Sequence, residues 1–132
     1  MVQRPRLLIL DDEILVTMML EDIVVDLDFE VVGPFSRLEE GLLAAKCESL
    51  DGAIIDLNLG RGVFSTPVAD VLRDRGIPFV IATGYGATKE IKAMKASSLL
   101  TKPFTTEDVK IALASLIKKQ KRFGSPIKAS LK

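Results

Sequence analysis

Ala53-Ile54-Ile55-Asp56-Leu57-Asn58-Leu59-Gly60 is the stretch that settles which kind of sheet this chain builds. Its residues are apolar in succession rather than alternately. A strand reads this way when both of its faces are covered, the usual condition in a parallel sheet. Asp51-Gly52 in front and Asn58-Leu59-Gly60 behind are turn signals. The spacing therefore predicts a buried strand over Ala53–Leu57, with Asp56 at its C-terminal end. Taken alone, Asp56 is equally suited to an Asx turn leading into the following loop.

Outward from this strand, short apolar runs alternate with helical patterns. Leu7–Leu10 reads as a first strand, followed by a helix over about Glu13–Leu27 with Val16, Leu20, Ile23 and Leu27 on one stripe. Glu30–Gly33 is a short strand ended by Gly33-Pro34. Ser36 and Glu39 have capping-box spacing for a helix continuing through Leu38, Leu42 and Ala45. Thr66-Pro67 supplies a cap and a first-turn proline for a helix from Val68 to about Arg75, stopped by Gly76. Phe79–Ala82 is a fourth strand. Ala87–Ala96 is a weak helix with few apolar anchors, and Leu99–Thr101 is a fifth strand ended by Lys102-Pro103. A last helix starts after Thr105 or Thr106 and carries Val109, Ala112, Leu113, Leu116 and Ile117. Five strands alternating with five helices imply an α/β domain, doubly wound around a five-stranded parallel sheet.

Composition narrows the chemistry. The 132 residues suit one domain with a real core. There is no histidine, which excludes imidazole-based zinc sites and Ser-His or Cys-His catalysis. The single Cys47 excludes an internal disulfide and reads as an inert structural thiol. No apolar run approaches the ~18 residues of a membrane helix. Met1–Arg6 lacks the pattern of a signal peptide, so the expected location is cytoplasmic. The net charge is zero, but Lys118, Lys119, Lys121, Arg122, Lys128 and Lys132 lie in a C-terminal stretch with no acid. We expect a folded domain over residues 1–120 and a flexible basic tail over 121–132. With no basic stripe on the body, neither nucleic acid nor membrane is an expected partner.

In a doubly wound fold, ligands bind beyond the carboxyl ends of the strands. Those ends carry Asp11-Asp12-Glu13, Asp56, Thr83 and Lys102. Clustered carboxylates repel one another unless a cation neutralises them. A hard divalent ion with oxygen ligands does this, and Mg²⁺ suits sites that handle phosphate. A lysine and a hydroxyl at the same point complete a cradle for a phosphoryl group. Each piece has a plainer use: Asp11 and Asp12 as helix caps, Thr83 as a strand residue, Lys102 on the surface. Their conjunction at four strand ends favours the cradle.

Leu8-Ile9-Leu10-Asp11-Asp12-Glu13, Ile54-Ile55-Asp56-Leu57-Asn58-Leu59, Ala82-Thr83-Gly84 and Thr101-Lys102-Pro103-Phe104 together resemble the receiver domain of bacterial two-component response regulators, over about Arg6–Lys119. The resemblance implies a flavodoxin-like (βα)5 fold. It implies that Asp56 is the phosphoacceptor for a histidine kinase, and that Asp12, Asp56 and the Asn58 carbonyl bind Mg²⁺ with Asp11 acting through water. Thr83 and Lys102 would contact the phosphoryl oxygens, the Lys102–Pro103 peptide would be cis, and Asn58 and Tyr85 would tune autodephosphorylation. Beyond accepting and hydrolysing its own phosphoryl group, no enzymatic activity is implied. The stretch Gly76-Ile77-Pro78-Phe79-Val80-Ile81-Ala82-Thr83-Gly84-Tyr85-Gly86 is similar to the subset nicknamed FAT GUY, which is associated with histidine kinases of the HWE type.

Two positions depart from the common pattern. Leu99 stands where most receivers have a Tyr or Phe that reports phosphorylation, which leaves Tyr85 either as an alternative reporter or packed over its loop. The weak fourth helix is expected to be a mobile segment that phosphorylation reorganises. On the first helix, Ile14, Met18 and Val25 fall opposite the core stripe, and Ile14 and Met18 lie beside the acidic pocket as candidates for kinase docking. The expected function is a single-domain response regulator that signals by protein contacts or drains phosphoryl groups. The alternatives are a pseudo-receiver that binds partners unphosphorylated, and a phosphatase of the haloacid dehalogenase type. The last would need a second acid where Asn58 stands.

Overall fold

The computed structural model describes residues 3–84 and 88–122, apart from the side chains of Thr88 and of residues 117–122. Five strands, β1 (Arg6–Leu10), β2 (Glu30–Phe35), β3 (Gly52–Asp56), β4 (Phe79–Thr83) and β5 (Ser98–Thr101), form one parallel sheet in the order β2-β1-β3-β4-β5. Five helices connect or follow them: α1 (Ile14–Asp26), α2 (Leu38–Cys47), α3 (Thr66–Asp74), α4 (Thr88–Met94) and α5 (Thr106–Arg122).

The two faces of the sheet have separate cores. Leu8, Leu10, Ala53, Ile55 and Ile81 pack with Ala44, Ala45, Val68, Ala69, Leu72 and Met94 from α2, α3 and α4. Leu7, Ile9, Ile54, Val80 and Leu100 pack with Leu20, Ile23, Val24, Val109, Leu113 and Leu116 from α1 and α5. Neighbouring strand residues point to opposite faces, so covering both requires the unbroken apolar runs seen in the sequence. The strand order turns back between β1 and β3, and this switch point brings the ends of those two strands side by side.

Three local expectations are corrected. β2 does not end at Gly33-Pro34 but runs through it to Phe35. β2 pairs only with β1, and the register jumps from Leu8↔Val32 to Leu10↔Phe35, so Pro34 sits in a bulge where its missing N–H costs no ladder bond. The Gly33–Pro34 peptide is cis and Gly33 has φ +104°, which a side chain would not tolerate. α2 is not capped by Ser36: the cap position is Arg37, no side chain bonds there, and Glu39 and Glu40 instead place negative charge against the helix N-terminus. α3 begins at Thr66 itself, with Ser65 before it. The Ser65 hydroxyl is buried and donates to the Leu57 carbonyl rather than capping the helix.

α5 has the cap its sequence suggests. Asp108 N–H donates to Thr105 Oγ1 at 3.1 Å, and Thr105 N–H donates to Asp108 Oδ2 at 2.9 Å. α4 is only seven residues long, in keeping with its weak pattern. Met94 anchors it in the core, the Arg73 guanidinium donates to the Met94 carbonyl at 2.8 Å, and Lys95 ends it with φ +56°. Ala87 and Tyr85 lie outside the described residues.

Candidate phosphoryl and metal site

Three of the strand-end groups, Asp11, Asp56 and Lys102, meet at the switch point. Asp11 follows β1, Asp56 ends β3, Thr83 ends β4 and Lys102 follows β5. Asp11, Asp56 and Thr83 are buried, 1%, 5% and 7% exposed. One oxygen from each of Asp11, Asp12 and Asp56 lies within 4.8 Å of the others, with Asp12 on the solvent side. Lys102 is brought in by its backbone, because its N–H donates to the Thr83 carbonyl at 2.7 Å and so extends the β4–β5 pairing by one bond. The Lys102–Pro103 peptide is cis.

The ammonium of Lys102 touches three carboxylates. Nζ lies 2.8 Å from Glu13 Oε1, 3.1 Å from Asp11 Oδ2 and 3.3 Å from Asp56 Oδ2. Asp11 Oδ1 accepts the Glu13 N–H at 2.8 Å, while Asp11 Oδ2 is buried with no hydrogen bond and forms an ion pair with the Lys102 ammonium. Burial pushes the Asp56 carboxyl up to about 7, aided by the Asp11 charge and a bond with Asp12, and Lys102 offsets this only in part. Burial likewise raises Asp11, against the Glu13 N–H and Lys102. For Lys102, burial favours the neutral amine, but Glu13, Asp11 and Asp56 outweigh it and hold the group above its ordinary value. A single ammonium thus leaves a surplus of negative charge in a half-closed site.

An oxygen-only donor set with a buried carboxylate oxygen free of hydrogen bonds fits a hard dication such as Mg²⁺. The loop after β3 is held in a tight turn. Asn58 Oδ1 accepts the Gly60 N–H at 2.8 Å, Leu59 N–H donates to the Val63 carbonyl at 2.7 Å, and Asn58 bridges Phe64. This turn sets Gly60 at φ +90°, where a Cβ would come within 3.2 Å of Asp12 Oδ2.

Ile14, Met18 and Leu99, proposed from sequence for docking and switching, contribute no group to this cluster. Ile14 and Met18 are exposed at 73% and 58% on the first turns of α1, joined by Leu15 at 77%, which the helical stripe did not single out. Leu99 is half-exposed on β5, an edge strand, and Tyr85 lies outside the described residues. Sequence reasoning also missed the bond from Glu13 to Lys102. Its only signal was the acid next to Asp12 at the start of α1.

Comparison with known proteins agrees with this fold. Neither a family model nor a curated protein sequence matches the chain. Solved structures do. SdrG from Sphingomonas melonis Fr1 is 41% identical, with 89% of this chain and 99% of that one covered and a TM-score of 0.75. A response regulator receiver protein from Sinorhizobium medicae WSM419 is 25% identical over 86% of this chain and 94% of its own, TM-score 0.76. A CheY-like receiver domain protein from Methanospirillum hungatei JF-1 is 21% identical over 91% and 99%, TM-score 0.79, a likeness of fold alone. The chain belongs to the response regulator receiver domains.

Proposed function

We propose that this receiver accepts a phosphoryl group on Asp56 from the phosphohistidine of a histidine kinase, with Mg²⁺ bound, and later releases it to water. The observation that carries the reading is the meeting of Asp11, Asp12 and Asp56 within 4.8 Å, with the Lys102 ammonium 3.3 Å from Asp56 Oδ2. An Asp56 carboxylate oxygen attacks phosphorus while the P–N bond breaks, and the bonding pair returns to the imidazole nitrogen of the kinase. Asp12, Asp56 and the Asn58 carbonyl would hold the Mg²⁺, with Asp11 acting through water. The bound ion supplies charge neutralisation and favours the ionised form of Asp56. Lys102 provides a point charge and Thr83 a hydroxyl donor for the phosphoryl oxygens, so the protein contributes position and electrostatics rather than a separate acid or base. Water then attacks phosphorus, freeing phosphate and the Asp56 carboxylate, at a rate that Asn58 and Tyr85 tune.

The exposed Ile14 and Met18 beside the pocket are where a kinase's helical hairpin docks in this reading. The FAT GUY similarity of Gly76–Gly86 points to an HWE-type kinase. With Leu99 at the usual aromatic position, Tyr85 and the segment after it carry the response. Incubation with acetyl phosphate and Mg²⁺, followed by intact mass, tests the proposal. We expect a gain of one phosphoryl group in the wild type and none in Asp56→Asn. No gain from acetyl phosphate or a kinase would make the domain a pseudo-receiver.

A further inference from the structure

Glu13 is an acid at the N-cap position of α1, where its side chain has an obvious local use. Anionic groups are favoured against the free N–H groups of a helix start. Yet the Glu13 side chain makes no capping bond, and the first turn of α1 has no other acid. Its carboxylate instead reaches Lys102, 89 residues away in sequence, in the shortest of that ammonium's three contacts. The contact to Asp56, where the phosphoryl group would be attached, is the longest at 3.3 Å. The Glu13 side chain is 59% exposed, while that of Lys102 is 17% exposed. Glu13 can therefore swing into solvent at little cost, whereas Lys102 has few other places to go.

Resting on the phosphoacceptor reading of Asp56, we infer that Glu13 is a positioning residue that competes with the phosphoryl group for Lys102. In the free protein Glu13 draws the ammonium to the α1 side of the site. Once phosphoryl oxygens appear on Asp56, the ammonium exchanges Glu13 for them, and the released carboxylate turns to water. No bond is made or broken in this exchange; one ion pair replaces another. The free state is thereby favoured by the strength of a half-exposed ion pair, a factor of roughly two to five in equilibrium terms.

Two variants separate this role from a general effect of negative charge on an anionic donor. Glu13→Gln removes the charge, and Glu13→Asp keeps it while shortening the reach to Lys102. Both retain the backbone N–H that Asp11 accepts, and the side chain they alter is exposed. For wild type and both variants, the affinity for beryllofluoride at saturating Mg²⁺ and the rate of phosphorylation by acetyl phosphate are measured. We expect both variants to bind beryllofluoride roughly two- to fivefold more tightly, and to phosphorylate faster by a similar factor. Glu13→Asp matching the wild type while Glu13→Gln gains would reduce the effect to net charge and overturn the inference. So would two variants indistinguishable from the wild type. A wild type that neither binds beryllofluoride nor gains a phosphoryl group would instead overturn the reading of Asp56 on which the inference rests.

Discussion

Asp56 is a carboxyl held in conflict. Buried beside Asp11, it is pushed up to about 7 from an ordinary 3.8, so its charged form is costly in the absence of a divalent ion. A folded-state pKa above the unfolded value stabilises the protein below the unfolded pKa, and that stability is lost as pH rises through the folded pKa. The difference in unfolding free energy between Asp56→Asn and wild type, measured by urea titration in EDTA, should therefore be small near pH 4. It should grow through pH 7, reaching on the order of 2–4 kcal/mol in favour of the variant by pH 8. Mg²⁺ should shrink that difference, and a pH-independent difference would contradict this account. Asp11, Asp12, Asp56, Thr83 and Lys102 were all legible in the sequence, because a polar residue closing an apolar strand is conspicuous. The Glu13–Lys102 pair was not, since it depends on side-chain reach across two loops rather than on any local pattern.

At the scale of elements, the loop after β3 needs a glycine at position 60 and the bulge in β2 needs one at position 33. Gly60→Ala would bring a Cβ within 3.2 Å of Asp12 Oδ2 at φ +90°, so Mg²⁺ affinity measured by calorimetry should fall roughly tenfold. Gly33→Ala meets Phe35 N at 2.8 Å with φ +104°, and thermal unfolding should show a loss of about 2 kcal/mol or more. Removing the α5 cap with Thr105→Ala should cost about 1 kcal/mol by the same measurement. Hydrophobic period identified every strand and helix, but caps were misplaced by a residue at α2 and α3. At α3 the helix takes in Thr66, and Ser65 before it gives its hydroxyl to the Leu57 carbonyl; at α2, Ser36 lies one residue too early. β2 was cut short because Gly-Pro normally ends a strand, a rule that an edge strand with a bulge escapes.

For the whole molecule, sheet order turns scattered motifs into a site. The alternation of elements indicated a parallel sheet, but the placing of β1 beside β3, and so of Asp11 beside Asp56, is a property of topology. Ile14, Leu15 and Met18 stay exposed on α1 and contribute no group to the acidic cluster. Met18→Asp should thus slow phosphotransfer from a kinase by tenfold or more while leaving the acetyl phosphate rate near that of the wild type; equal loss with both donors would argue for damage to the site itself. The central claim is that the phosphoryl group resides on Asp56. Its most direct test is to phosphorylate the protein with acetyl phosphate and Mg²⁺, reduce the acyl phosphate with borohydride and sequence the peptides by mass spectrometry. The account predicts homoserine at position 56 alone, while its absence there, or its appearance at Asp11 or Asp12 instead, would contradict it.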